Sequence, residues 1–158
     1  MTIIIVLLLL MLALLSILEV SFTSLNIIRI KRLADTGNKS AKVVYKLYSN
    51  YSETLTTILV INCICGILVS TLTTYYFSNL YGDKIIPLVT IILTIIILVF
   101  TEIAPKIIGR EYAEDYALKL CNLLKWMVKL LLPLTKAIGK FEKKVKNNHK
   151  VTATKDEL

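Results

Sequence analysis

The sequence predicts an all-α membrane protein: three spanning helices with short amphipathic belt helices alongside. Three observations carry this. Apolar residues are gathered into uncharged blocks at 1–15, 54–78 and 85–101, and a helix needs about 20 residues to cross a hydrocarbon core of roughly 30 Å. The composition is 56% hydrophobic with mean hydropathy +0.69, against roughly 45–50% apolar in a soluble domain. Cations are also segregated, crowding residues 26–53 and the stretch after 105. Residues 1–140 read as one domain, with spans near 3–25, 54–77 and 86–105. Belt helices are expected over 26–52 and 111–140, before a basic tail or linker at 141–158.

The first span is too short without its polar part. Residues 3–15 supply only about 13 positions, so the helix must run on through Ser16 and Glu19 to Phe22. Glu19 is thereby placed within the membrane or at its boundary, where a carboxylate is costly and faces protein or a watery cavity. No cationic segment precedes the apolar run and no clean cleavage site follows it, so an uncleaved span fits better than a signal peptide.

Arg29, Lys31, Arg32, Lys39, Lys42 and Lys46 outweigh Asp35 and Glu53 in the first connection, which marks it as cytoplasmic. Asp35-Thr36-Gly37-Asn38 reads as a turn between two short helices. Tyr75, Tyr76 and Tyr81 sit where an outer aromatic belt belongs. Asp83 and Lys84 cancel in the short outer loop. The third span opens at Pro87, a residue tolerated in a first helical turn. This topology places the N-terminus outside and the C-terminus in the cytoplasm of a multi-pass plasma-membrane protein. The tripeptides Asn38-Lys39-Ser40 and Asn50-Tyr51-Ser52 are then unused as glycosylation acceptors.

A fourth span over 117–134 is disfavoured, because Lys119, Lys125 and Lys129 would each cost about 2.5–3.5 kcal/mol at a helix centre. Lys125, Lys129, Lys136 and Lys140 share a face opposite Trp126 and the leucines, as in a helix lying in the interface plane. Pro133 is expected to divide that helix. The closing Lys155-Asp156-Glu157-Leu158 spells a lumenal retrieval signal, but on the cytoplasmic side the match is coincidental.

The net charge of +8 does not indicate a nucleic-acid partner. The cations flank apolar segments, where the lipid bilayer and its anionic headgroups account for them. Cys63, Cys65 and Cys121 lack metal-ligand spacing and read as small apolar residues. There is no nucleophile elbow, zinc-protease motif or phosphate loop. His149, the sole histidine, lies in the tail, so no enzyme chemistry is expected.

Chemistry is expected instead at polar residues within the spans. Pro105 cannot donate to the carbonyl four residues back, that of Thr101, and a carbonyl at membrane depth must find another partner. The Glu102 carboxylate lies beside it. Two hard oxygen donors suit Mg²⁺, Ca²⁺ or Na⁺; a helix that simply ends at 101–105 with Glu102 solvated is the plain alternative. The first span adds Ser16 and Glu19, one face apart by three residues, with Thr23 beyond. The second adds Asn62, whose plain role is an interhelical hydrogen bond, and Gly66, a point of close helix approach. One polar set from each span, two of them with carboxylates, predicts convergence on an ion.

Three passages resemble the transmembrane domain of the CNNM/CorC family, implicated in Mg²⁺ efflux. They are residues 16–25 around Glu19, residues 59–68 around Asn62, and Thr101-Glu102-Ile103-Ala104-Pro105-Lys106, which resembles the family's Gly-Glu-x-x-Pro-Lys signature. The likeness covers roughly residues 5–140. It implies a homodimer of three-helix domains. It also implies a dehydrated Mg²⁺ bound by Ser16, Asn62 and the Thr101 carbonyl, with Na⁺ as a coupling ion. The family commonly carries a second asparagine at the position of Gly66 and a glycine at that of Thr101. Its regulatory CBS domains are missing, which implies a truncated chain or a stand-alone member. The sequence therefore predicts a Mg²⁺-transporting membrane domain, with a non-transporting interaction module of the same fold as the alternative.

Overall fold

Helix α1 (Thr2–Thr23) begins the fold and stands at its centre, touching the second and third rods. The structure, a computed structural model, describes residues 1–131. Pro133, Lys136, Lys140, His149 and the tail 141–158 lie outside the described residues. Among the described residues, three rods are long and apolar enough to span a membrane: Thr2–Thr23, Tyr51–Tyr81 and Asp83–Glu111. They have 22, 31 and 29 residues. At a rise of about 1.5 Å per residue, the longer two exceed a hydrocarbon core of roughly 30 Å, so they must tilt or project beyond it. Their outward faces suit lipid: Ile3 is 81% exposed, Ile67 66% and Phe100 67%.

Between the first two rods lie α2 (Ile27–Asp35) and α3 (Lys39–Ser49), where a basic belt is expected. Gly37 has a φ of +96°, a left-handed turn conformation that glycine adopts without steric penalty. Asn26 and Asn38 cap the two helices, each side chain accepting from backbone N–H groups of the first turn. The Asn38 bond to the Ala41 N–H is 3.0 Å. Asn38→Ala is expected to lower stability by about 1 kcal/mol, read as a lower melting temperature in detergent.

Rod α4 (Tyr51–Tyr81) leaves α3 through a tight corner. The Thr54 hydroxyl, fully buried, donates to the Leu47 carbonyl at 2.9 Å. Phe22, Tyr48 and Tyr51 pack their rings 5.2–5.6 Å apart and so join α1, α3 and α4. After Gly82 a single 3₁₀ turn, Asp83–Ile85, leads into the third rod. That rod comprises α5 (Ile86–Ile96), a π-helical segment (Ile97–Ile103) and α6 (Ala104–Glu111). The helix does not end at 101–105, so the plain alternative of a terminus there is excluded. The wider π register admits Pro105 and lets the rod continue.

A further helix, α7, covers 113–131 of the described residues. Ala113, Ala117, Cys121, Leu124 and Met127 are buried along one stripe. Lys125 and Lys129 are exposed, as expected. The leucines divide, however: Leu124 faces protein, whereas Leu123, Trp126 and Leu130 remain exposed. Thus α7 has three strips, a protein-facing seam, a basic strip and an apolar strip. A simple two-sided helix would have only the last two.

The core gathers at the basic end. Leu15, Leu18, Phe22 and Ile58 from the rods meet Ile30, Val44, Leu124 and Met127 from the belt helices. Amphipathic helices can bury their apolar stripes only against the rods, and this surrounds the lower half of α1 with protein. The tyrosine end is held mainly by α4 against α5, through Val69, Thr73, Val89 and Leu93.

Candidate functional site

Ser16 sits on α1 where that helix is enclosed. It is 1% exposed, and its Oγ has no hydrogen-bond partner. This is unusual for a helical hydroxyl, which ordinarily bonds the carbonyl one turn back. Thr57, Thr90, Thr94 and Thr101 all do so, at 2.7–2.9 Å. Asn62 on α4 is half-buried, yet its Oδ1 is buried and likewise unpartnered. A third unpartnered oxygen, Thr73 Oγ1, is buried at the tyrosine end of α4. An unpaired buried polar group costs about 1–3 kcal/mol, and Ser16 and Asn62 are the two of these three that lie in the basic half of the bundle.

Thr101 completes the set expected from the sequence. It is the buried residue of the π-helical segment, 3% exposed. Its hydroxyl donates to the Ile97 carbonyl at 2.8 Å. The backbone pattern there is disturbed in two ways. Ala104 N–H reaches five residues back, to the Val99 carbonyl. Pro105 then offers no N–H at all, so the junction of the π and α registers lacks a donor beside Phe100 and Thr101. π-Bulges occur frequently at functional sites for this reason.

Each position lies in the basic half of its rod: Ser16 seven residues before Thr23, Asn62 eleven after Tyr51 and Thr101 ten before Glu111. Helix α1 packs on both α4 and the π segment, so it links the two elements that bear the other positions. The available oxygens are a hydroxyl, an amide and a carbonyl. No cluster of His, Cys, Asp or Glu suited to a metal exists among the described residues. Hydroxyl, amide and carbonyl oxygens are the donor types that small hard cations take.

The carboxylates lie nearer the basic end. Glu19, one turn from Ser16, has a side chain 18% exposed and faces Lys106 Nζ at 3.7 Å. Glu102 is half-buried, with no ion pair or hydrogen bond among the described residues. Thr23 is exposed and bonds its own helix at the Val20 carbonyl, 3.1 Å away, so it contributes nothing here. Gly66 has open space where a Cβ would be, with nothing within 4 Å. Close helix approach is therefore not its role.

The closest approach occurs at Gly109. A Cβ there would lie 2.7 Å from the Ile17 carbonyl oxygen, and the Ser21 hydroxyl donates to the Gly109 carbonyl at 3.0 Å. This α1–α6 clasp holds Ser16 and Glu19 against the third rod. Sequence reading passed over Ser21, Gly109 and the partnership of Lys106 with Glu19. Small residues at 21 and 109 were the available signal, but nothing local pairs positions 88 residues apart.

The pattern of Cyclin M transmembrane N-terminal domains, the CNNM family, matches residues 3–158. Two curated relatives agree. A UPF0053 protein of Haemophilus influenzae is 33% identical over 89 residues, 56% of this chain and 21% of the relative. The UPF0053 inner membrane protein YfjD of Escherichia coli K12 is 36% identical over 80 residues, 51% of this chain and 19% of that protein. The matched part thus spans about a fifth of either relative. Three membrane-length rods, a π-helical break beside buried unpaired oxygens, and a family match over almost the full length agree: the chain belongs to the CNNM family of membrane domains.

Proposed function

We propose that the chain carries Mg²⁺ across the membrane through a site bounded by Ser16 Oγ, Asn62 Oδ1 and the Thr101 carbonyl. The observation behind this reading is the pair of buried, unpartnered oxygens on α1 and α4. Mg²⁺ is small, demands oxygen ligands and is bound near 2.0–2.1 Å, and neutral donors bind it without holding it permanently. Glu19 and Glu102 draw cations toward the basic end of the bundle. The cationic belt helices support a cytoplasmic location for that end, with the N-terminus outside, at the plasma membrane. Efflux coupled to Na⁺ and assembly as a homodimer complete the reading, both by likeness to the family.

Purified chain should gain thermal stability on Mg²⁺ addition, and Ser16→Ala and Asn62→Ala should each lose that gain. Stabilisation unchanged in both variants would remove the site. Gly66 favours a second reading, a membrane interaction module of the same fold that does not transport, because a ligand common in the family is absent. Mg²⁺ flux in proteoliposomes separates the two, since such a module gives a signal equal to empty vesicles.

A further inference from the structure

We infer that Lys106 is the resident counter-cation of Glu19, a tethered ammonium that an entering Mg²⁺ displaces. The inference rests on the transport reading above and deepens it. Glu19 is mostly enclosed, and a carboxylate in that position is unfavourable without positive charge nearby. Lys106 Nζ supplies that charge from α6 at 3.7 Å. This separation is beyond hydrogen-bond length, so the contact is a Coulombic pair without directional bonding.

The chemistry of the partner fits exchange better than permanent locking. Lysine is a flexible, strongly hydrated point charge, whereas arginine would grip a carboxylate through a planar fork. The Lys106 side chain is 36% exposed, so it is not sealed inside the bundle. A second carboxylate, Glu102, precedes Lys106 by four residues across the π-to-α junction and has no ion pair among the described residues. Arg110, four residues beyond, also stands on this face and is exposed. It discourages the ammonium from moving further toward the helix end.

Glu19 is one turn from Ser16, so a divalent ion reaching Ser16 passes the carboxylate. There it meets an ammonium holding the same counter-charge. The stronger field of Mg²⁺ displaces Lys106 toward Glu102 and water. Between ions, Lys106 returns and keeps the α1–α6 contact neutral beside the Ser21–Gly109 clasp. Lys106 thus acts as a competitor that sets affinity, without binding the transported ion itself.

The test uses the 158-residue chain in detergent with Mg²⁺ alone as probe. Apparent affinity is read from thermal stabilisation, and lysine exposure from the rate of Lys106 acylation by an amine-reactive ester, followed by mass spectrometry. Lys106→Met should tighten apparent Mg²⁺ affinity by roughly two- to five-fold, the release of a partly exposed pair. Lys106→Arg should weaken it. Mg²⁺ should accelerate Lys106 acylation in the unsubstituted chain. In Glu19→Gln, acylation should be fast from the outset and insensitive to Mg²⁺; in Asn62→Ala it should stay slow. Acylation indifferent to Mg²⁺, while Mg²⁺ still stabilises the chain, would overturn the counter-cation role and leave the ion site standing. Absence of any Mg²⁺ stabilisation would overturn both.

Discussion

Gly109→Ala is expected to destabilise the chain by about 2 kcal/mol, lowering its melting temperature by about 5 °C. The added Cβ would meet Ile17 backbone atoms, its carbonyl oxygen at 2.7 Å and its Cα at 3.1 Å. A flexible side chain can rotate away from such a clash, but a helix backbone cannot, so α1 and α6 must separate. Separation stretches the 3.0 Å bond from Ser21 to the Gly109 carbonyl. Overpacking typically costs about 1–3 kcal/mol, and alanine returns up to about 1 kcal/mol through helix propensity, which the larger loss outweighs. Gly66→Ala is the control. No atom lies within 4 Å of its added methyl, so only the propensity gain remains and the melting temperature should rise. Equal responses at both glycines would mean that the α1–α6 clasp does not bear on stability. Because Ser16 adjoins Ile17, Gly109→Ala should also blunt the response to Mg²⁺.

Gly66→Asn should tighten Mg²⁺ binding about tenfold or more, seen as a shift in the Mg²⁺ concentration giving half-maximal stabilisation. Gly66 follows Asn62 by four residues, one helical turn, so a side chain there joins the same face. The open space around it admits an asparagine without displacing α1. A bond from a neutral amide oxygen to a charged group is worth about 1.5–3 kcal/mol, and about 1.4 kcal/mol is tenfold in affinity. Fixing the new side chain subtracts from that gain. The substitution also supplies the amide common in the family at this position. An unchanged Mg²⁺ midpoint in a properly folded variant would place residue 66 away from the ion path.

The three rods were legible because they depend on composition alone. Uncharged runs of sufficient length must form helices in lipid, where every backbone group needs an internal partner. The belt helices were equally legible, with Asn38 and Gly37 marking the start of α3 by their own chemistry. Ser16, Asn62 and Thr101 stood out as polar residues within apolar runs. The course of the third rod was harder to read. Pro105 suggested a freed Thr101 carbonyl in an α register, but the register is π through Ile103, and the missing donor falls at the junction. Local sequence does not distinguish these registers, because packing against α1 selects between them.

Sequence by itself determined the spans, the segregation of charge along the chain and the polar residues within the apolar runs, since each follows from local composition and the cost of polar groups in hydrocarbon. Tertiary structure alone decided that Ser21 reaches Gly109, that Lys106 faces Glu19, and that Ser16 and Asn62 are left with unpaired oxygens. These contacts join residues far apart in the chain. They arise from how closely two helices approach, and one missing Cβ at Gly109 sets that distance.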